Sequence, residues 1–284
     1  MYDSSLIAST GTAKSVVNIE GEILEVYSYL PSRAAVTGIL FLFDGIHRNA
    51  AGIRDKAISV ADRNGLILVA PYMDKESFPK WRYHHAGVIC DGRLQQSRAW
   101  TGRLIQQLID LIREQIEYEV SRVYLFGHSA GAQLLARICA YSPLSGVDSV
   151  IVANPSSYVL PLFDEPAPFG FKNIFSRARD ISKLRDYLAA PMTIYVGIED
   201  TQDLYLSLSK YSMQQGRNRI ERGRNLYRLG YQVAQAYRFR FNWRLVEIPG
   251  VGHSSREMLD CENFSKAVNS RQNERQLGRR GPHM

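Results

Sequence analysis

The sequence predicts an α/β fold: a mostly parallel sheet of about eight strands with helices on both faces. Three observations point there. Short apolar runs recur along the chain, each ending in turn residues. Stripes of apolar residues at helical spacing lie between these runs. One run passes through a glycine-flanked serine directly into a helical pattern.

Taken in order, 15–19 and 23–30 read as two strands around Glu20-Gly21, an antiparallel hairpin. The buried-strand patterns follow at 38–43, 66–70, 123–126, 149–153, 192–196 and 243–248. Leu104, Ile105, Leu108, Ile109, Ile112 and Ile116 form one helical stripe, and Leu134, Leu135 and Ile138 another. The stretch 156–190 breaks the rhythm with Pro161, Pro166 and Pro168, and holds only a short helix at 182–188. It reads as a cap-like insertion at the sheet edge where ligands bind. One domain over 1–270 is expected, followed by a polar, basic tail at 271–284.

Composition narrows the function classes. With 284 residues, 45% hydrophobic and 22% charged, the chain matches a globular domain with a sizeable core. Three scattered cysteines (Cys90, Cys139, Cys261) suggest no disulfide framework and no zinc cluster; Cys139 reads as core filler. The first residues lack a signal-peptide pattern, and the longest apolar run, at 39–43, is too short for a bilayer. A cytoplasmic protein without an integral membrane segment is expected. The net charge is +7, with nine Lys/Arg against Asp203 and Glu221 between residues 201 and 244. A solvated helix face is the plainer reading of that segment. Nucleic-acid binding is not expected, since aromatic-interleaved RNA-binding signatures are absent. Nothing in the sequence sets the oligomeric state.

The chemistry concentrates in Gly127-His128-Ser129-Ala130-Gly131, a G-x-S-x-G string. A strand pattern precedes it and a helix pattern follows, the setting that a nucleophile elbow requires. Ser129 then stands at a helix N-terminus, where the helix dipole favours developing negative charge. A serine hydroxyl needs a base, and the chain order in this architecture is serine, acid, histidine. The strand at 192–196 leads into Glu199, Asp200 and Asp203. The strand at 243–248 leads into His253, flanked by Gly250 and Gly252. Asp200 is preferred as the acid, with Asp203 and Glu199 as alternatives. The oxyanion hole is expected to use the backbone amides of Ala130 and, beyond the strand at 38–43, of Ile46 next to Gly45.

These segments resemble bacterial α/β hydrolases related to polyhydroxybutyrate-depolymerase-type esterases. The resemblance runs from about Val36 to Met258 and rests on the loop Phe43–Ala50, the elbow, Ala153-Asn-Pro155, Gly197-Ile-Glu-Asp-Thr201 and Pro249-Gly-Val-Gly-His253. It implies the triad Ser129, Asp200 and His253 and a carboxylic-ester substrate class; the expectation taken from the whole sequence is an α/β-hydrolase fold without cofactor or metal, acting on a small-molecule or oligomeric ester. Amide or peptide hydrolysis by the same triad, and a non-catalytic ligand-binding protein of this fold, are the alternatives. One departure stands out. Relatives commonly carry His or Pro before the loop glycine, where this chain has Asp44. A carboxylate about 6 Å from an oxyanion costs roughly 3 kcal/mol at an effective dielectric near 20. Asp44 is therefore expected to turn away and pair with His47 or Arg48.

Other residues carry weaker expectations. His128, Gly45, His47, Trp81 and Tyr158 are candidates for lining the pocket. Trp81 belongs to the loop Trp81-Arg-Tyr-His-His85, and Tyr158 to the insertion. Arg217, Arg219, Arg222 and Arg224 are read first as a solvated face, and second as an attractor for an anionic substrate group.

Overall fold

The computed structural model describes residues 6–7, 10–32, 35–172, 174–175 and 177–269. The polar tail expected at 271–284 lies outside the described residues. The strands are β1 (Gly11–Ile19), β2 (Glu22–Leu30), β3 (Gly38–Phe43), β4 (Leu66–Tyr72), β5 (Ile89–Cys90), β6 (Arg93–Leu94), β7 (Arg122–His128), β8 (Ser149–Ala153), β9 (Met192–Gly197) and β10 (Arg244–Ile248). Eight of them form one sheet in the order β1-β2-β4-β3-β7-β8-β9-β10, while β5 and β6 pair as a separate ribbon. From β4 to β10 every neighbour pair is parallel; β1–β2 and β2–β4 are antiparallel. The sheet is thus mostly parallel with eight strands, as the sequence predicts.

The helices are α1 (Ala50–Lys56), α2 (Ile58–Asn64), α3 (Lys80–Tyr83), α4 (Thr101–Gln115), α5 (Ala130–Tyr141), α6 (Arg177–Ala189), α7 (Lys210–Met213), α8 (Arg219–Tyr237), α9 (Ser255–Met258) and α10 (Cys261–Asn269). They cover both faces of the sheet. In β3, Ile39, Phe41 and Phe43 enter one apolar core while Leu40 and Leu42 enter the other. This is the two-residue period of a strand buried on both sides. The α4 stripe from Leu104 to Ile112 is buried in the first core, together with Leu134, Leu135 and Ile138 of α5. The cysteine expected to fill core, Cys139, packs there too.

Two elements run longer than their sequence signals. β1 begins at Gly11, not at Ser15, because its first half is a half-exposed edge with no apolar alternation. α6 spans Arg177–Ala189 rather than 182–188; its early turn is polar and carries no apolar stripe. Among the described residues no helix is long and apolar enough to cross a membrane.

Candidate active site

The carboxyl ends of β3, β7, β8, β9 and β10 lie side by side, and the loops leaving them build one site. Ser129 occupies the turn between β7 and α5 with φ 53° and ψ −106°, a backbone conformation that non-glycine residues rarely hold. Its own amide donates to the Ala153 carbonyl at 2.9 Å, which fastens the turn to β8. The tightness of the turn explains Gly131. A Cβ there would lie 2.2 Å from the Phe43 carbonyl oxygen, so only glycine lets α5 approach the end of β3.

Three side chains from three loops meet in one line. His253 Nε2 is 3.1 Å from Ser129 Oγ. His253 Nδ1 is 2.7 Å from Asp200 Oδ2. Asp200 is fully buried, while Glu199 and Asp203 are exposed on either side of it. With the carboxylate accepting from Nδ1–H, Nε2 is left free to accept the serine proton. The arrangement is chemically that of a base-activated hydroxyl.

Asn154 ties the two partner loops together. Its side-chain oxygen accepts from the Gly197 amide at 2.9 Å, and its Nδ2 donates to the Gly252 carbonyl at 3.1 Å. It is wholly buried and has φ 50°, a conformation that asparagine tolerates better than most residues. One side chain thus spaces the acid loop from the histidine loop.

Arg219, at the start of α8, completes the line. Its Nη1 donates to Asp200 Oδ1 and to the Gln202 carbonyl, each at 3.0 Å, and its Nη2 to the Leu204 carbonyl at 2.7 Å. Arg222 is equally buried and donates to the Ser156 and Gly216 carbonyls. These two arginines correct the first sequence reading of the segment: they are not a solvated face but internal struts, and Arg219 also borders the cavity at Ser129. Arg224 does sit at the surface, paired with Glu247.

The amides of Ala130 and Ile46 have no acceptor among the described residues, and both residues border the cavity that contains Ser129. Asp44 does turn to a local partner, but not to the expected ones. Its Oδ2 accepts from the Asn49 amide at 2.7 Å, just before α1, and its carbonyl accepts from the Tyr83 hydroxyl at 2.7 Å. Backbone N–H groups at a helix start outcompete side chains that must be ordered to reach it.

Two cavities meet at Ser129. One, of about 560 Å³, is bordered by Asp44, Gly45, His47, His128, Asp200 and His253. The other, of about 820 Å³, is bordered by Arg48, Lys80, His84, His85, Gln133 and Phe169. Ile46, Ser129 and Tyr205 border both. Of the predicted pocket residues, Gly45, His47 and His128 border the first cavity. Trp81 and Tyr158 border neither. Tyr158 is wholly buried behind the site, and the turn after the short helix α3 presents His84 and His85 to the cavity in place of Trp81. His128 is buried with its ring 4.7 Å from that of His253, and burial holds it well below the usual histidine pKa, so it is neutral.

No family model matches the chain, and no curated protein does. Solved structures do. Poly(aspartic acid) hydrolase-1 from Sphingomonas sp. KT-1 is 28% identical, with a TM-score of 0.84 over 92% of this chain and 99% of that one. LpqC, a poly(3-hydroxybutyrate) depolymerase from Bordetella parapertussis, is 27% identical, with a TM-score of 0.83 over 94% of each chain. An S-formylglutathione hydrolase from Agrobacterium tumefaciens shares the fold at 14% identity and a TM-score of 0.54. The chain is a serine hydrolase of the α/β-hydrolase fold that resembles poly(3-hydroxybutyrate)-depolymerase-type esterases.

Proposed function

We propose that the chain cleaves carboxylic esters through an acyl-enzyme on Ser129, with His253 as general base and acid and Asp200 as its orienting carboxylate. Ser129 Oγ attacks the ester carbonyl as His253 Nε2 takes its proton. The tetrahedral oxyanion settles between the amides of Ile46 and Ala130, aided by the N-terminus of α5. His253 returns the proton to the leaving alcohol. The same imidazole then activates water, and the acid leaves. The observation that carries this reading is the continuous hydrogen-bonded line Ser129–His253–Asp200 at the tips of adjacent strands.

The substrate is a small or oligomeric ester whose two sides extend into the two cavities. Ser156, Ser157 and Phe169 of the proline-rich segment border the larger cavity and serve as part of its wall. Amide cleavage is a second reading, because one similar structure is named for poly(aspartic acid), a polyamide. The triad chemistry is common to both, since both pass through a tetrahedral oxyanion.

The test is direct. Ser129→Ala abolishes ester turnover and labelling by a fluorophosphonate probe while the protein stays folded. Matched ester and amide substrates then rank the two readings. Failure of the unaltered protein to react with the probe overturns both and favours a ligand-binding role.

A further inference from the structure

The two cavities that meet at Ser129 differ in charge. The smaller contains carboxylates: Asp44, Glu199 and Asp200 border it along with Lys56 and Arg219. The larger is bordered by Arg48, Lys75, Lys80 and the pair His84 and His85, with no carboxylate among its bordering residues.

Arg48 is the unusual member. It is 5% exposed and has φ 58°, a left-handed conformation that costs a bulky side chain energy and persists where the surroundings enforce it. Its guanidinium carbon lies 3.3 Å from the centre of the Tyr83 ring. Stacking of this kind covers a face of the guanidinium but leaves its in-plane N–H groups wanting acceptors. Nε and Nη1 have none among the described residues, and Nη2 has only the Phe78 carbonyl at 3.5 Å. The acids nearby are committed elsewhere: Asp44 to the Asn49 amide, Asp74 to the amides of Glu76 and Ser77. Among the described residues no carboxylate lies within ion-pair distance of Arg48. A buried cation lacking a close counter-ion projects its field into the adjoining cleft.

The surroundings extend this field. Lys75 and Lys80 are exposed at the rim. Burial pushes His84 and His85 down to about 3, with the charges of Arg137 and Lys80 adding to the effect on both, and that of Arg48 on His84. Both histidines are therefore neutral near pH 7, polar without bringing charge of their own. Gln133, Ser156 and Ser157 supply further polar groups.

From this asymmetry we infer that the larger cavity receives a part of the substrate that carries a free carboxylate, held by the field of Arg48 with Lys80 and Lys75 at the rim. The inference rests on the ester-hydrolase reading of Ser129. It adds that the preferred ester is an anion, charged on one side of the bond that breaks.

The test uses two matched pairs on the full chain. One compares para-nitrophenyl hexanoate with its mono-adipate counterpart, which bears a terminal carboxylate on the acyl side. The other compares pentyl butyrate with the ester whose alcohol bears a terminal carboxylate. In one pair the carboxylate ester is expected to lead in kcat/KM by about tenfold or more at low salt, a lead that shrinks as ionic strength rises. Lys75→Gln combined with Lys80→Gln should lower that ratio several-fold, and Arg48→Met should bring it close to one. Because each readout is a ratio, general losses of activity cancel; if Arg48→Met does not fold, the lysine pair and the salt dependence still decide. Turnover of the neutral esters with ratios at or below one in both pairs overturns this inference and leaves the ester-hydrolase reading standing. If no ester turns over and the fluorophosphonate probe does not react, both fall.

Discussion

Arg219 Nη1 stands 3.0 Å from Asp200 Oδ1, and neither side chain has any exposed surface. The carboxylate that orients His253 with one oxygen is thus gripped through the other by a buried cation. The same guanidinium holds the carbonyls of Gln202 and Leu204, so it also fixes the loop that carries Tyr205 into the cleft. Removing one partner of a buried ion pair strands the other charge, at about 3–5 kcal/mol. Arg219→Leu should therefore lower the stability against urea by that order and reduce turnover. Arg219→Lys should fall between, since a single ammonium cannot match the fork. An Arg219→Leu protein as stable as the parent would remove the strut from the account.

Asp200 and its neighbours separate by burial. Asp200→Asn should cut kcat by on the order of 10⁴ through loss of the imidazole's correct tautomer. Asp203→Asn and Glu199→Gln, at exposed positions, should stay within a few-fold of the parent. Steady-state kinetics on folded variants decides; a near-normal Asp200→Asn would shift the role to one of the flanking acids.

Asn154 offers a sharper test of positioning. Asn154→Ala leaves the buried Gly197 amide without its acceptor, at about 1–3 kcal/mol. It also places alanine at a left-handed backbone position, which adds about 1–2 kcal/mol. With the acid and histidine loops no longer tied, kcat should fall more than KM rises. Denaturation curves and a kcat-against-KM comparison measure both effects.

The neutral buried histidine predicts early acid sensitivity. His128 is held well below its ordinary pKa by burial, whereas in the unfolded chain it takes a proton near 6.5. Its stabilising share is complete above that value and drains away as the pH falls below it, because only the unfolded state then binds the proton. The slope is about 1.4 kcal/mol per pH unit per histidine. His84 and His85 act in the same sense from about 6.5 down to about 3. Urea midpoints measured from pH 7 to 4 should decline before most carboxylates titrate. His128→Gln should flatten that decline if it folds, and His85→Gln provides the same reading at a less enclosed position.

Much of this was legible from the sequence because it follows local rules. Apolar runs at 38–43, 149–153 and 192–196 end where strands end, since a strand buried on both faces admits few polar residues. The elbow shows itself because Gly127 and Gly131 answer a steric demand made within five residues. What escaped was non-local. Arg219 and Arg222 sit on a helix whose charge pattern reads the same whether solvated or buried; only packing of α8 against β9 and the acid loop reveals the difference. The turning away of Asp44 follows from electrostatics, but its partner is a backbone amide, which has no identity in sequence. Tyr158 and Trp81 were plausible as aromatics near the site, yet side-chain direction after an irregular loop is set by contacts far along the chain. Asn154 carries no signal of its role in the sequence, because its two partners come from loops some 43 and 98 positions away.

Ser129, Asp200 and His253 each follow a strand of the same sheet by a few residues, as Arg48 does, whereas His84, His85 and Tyr205 lie farther out on connecting loops. In the proposed function, bond breaking is anchored to the strand tips, and much of the choice of substrate to loops more tolerant of insertion and drift. A lineage built this way can trade one diet for another by rewriting short surface stretches, with its cutting edge left untouched.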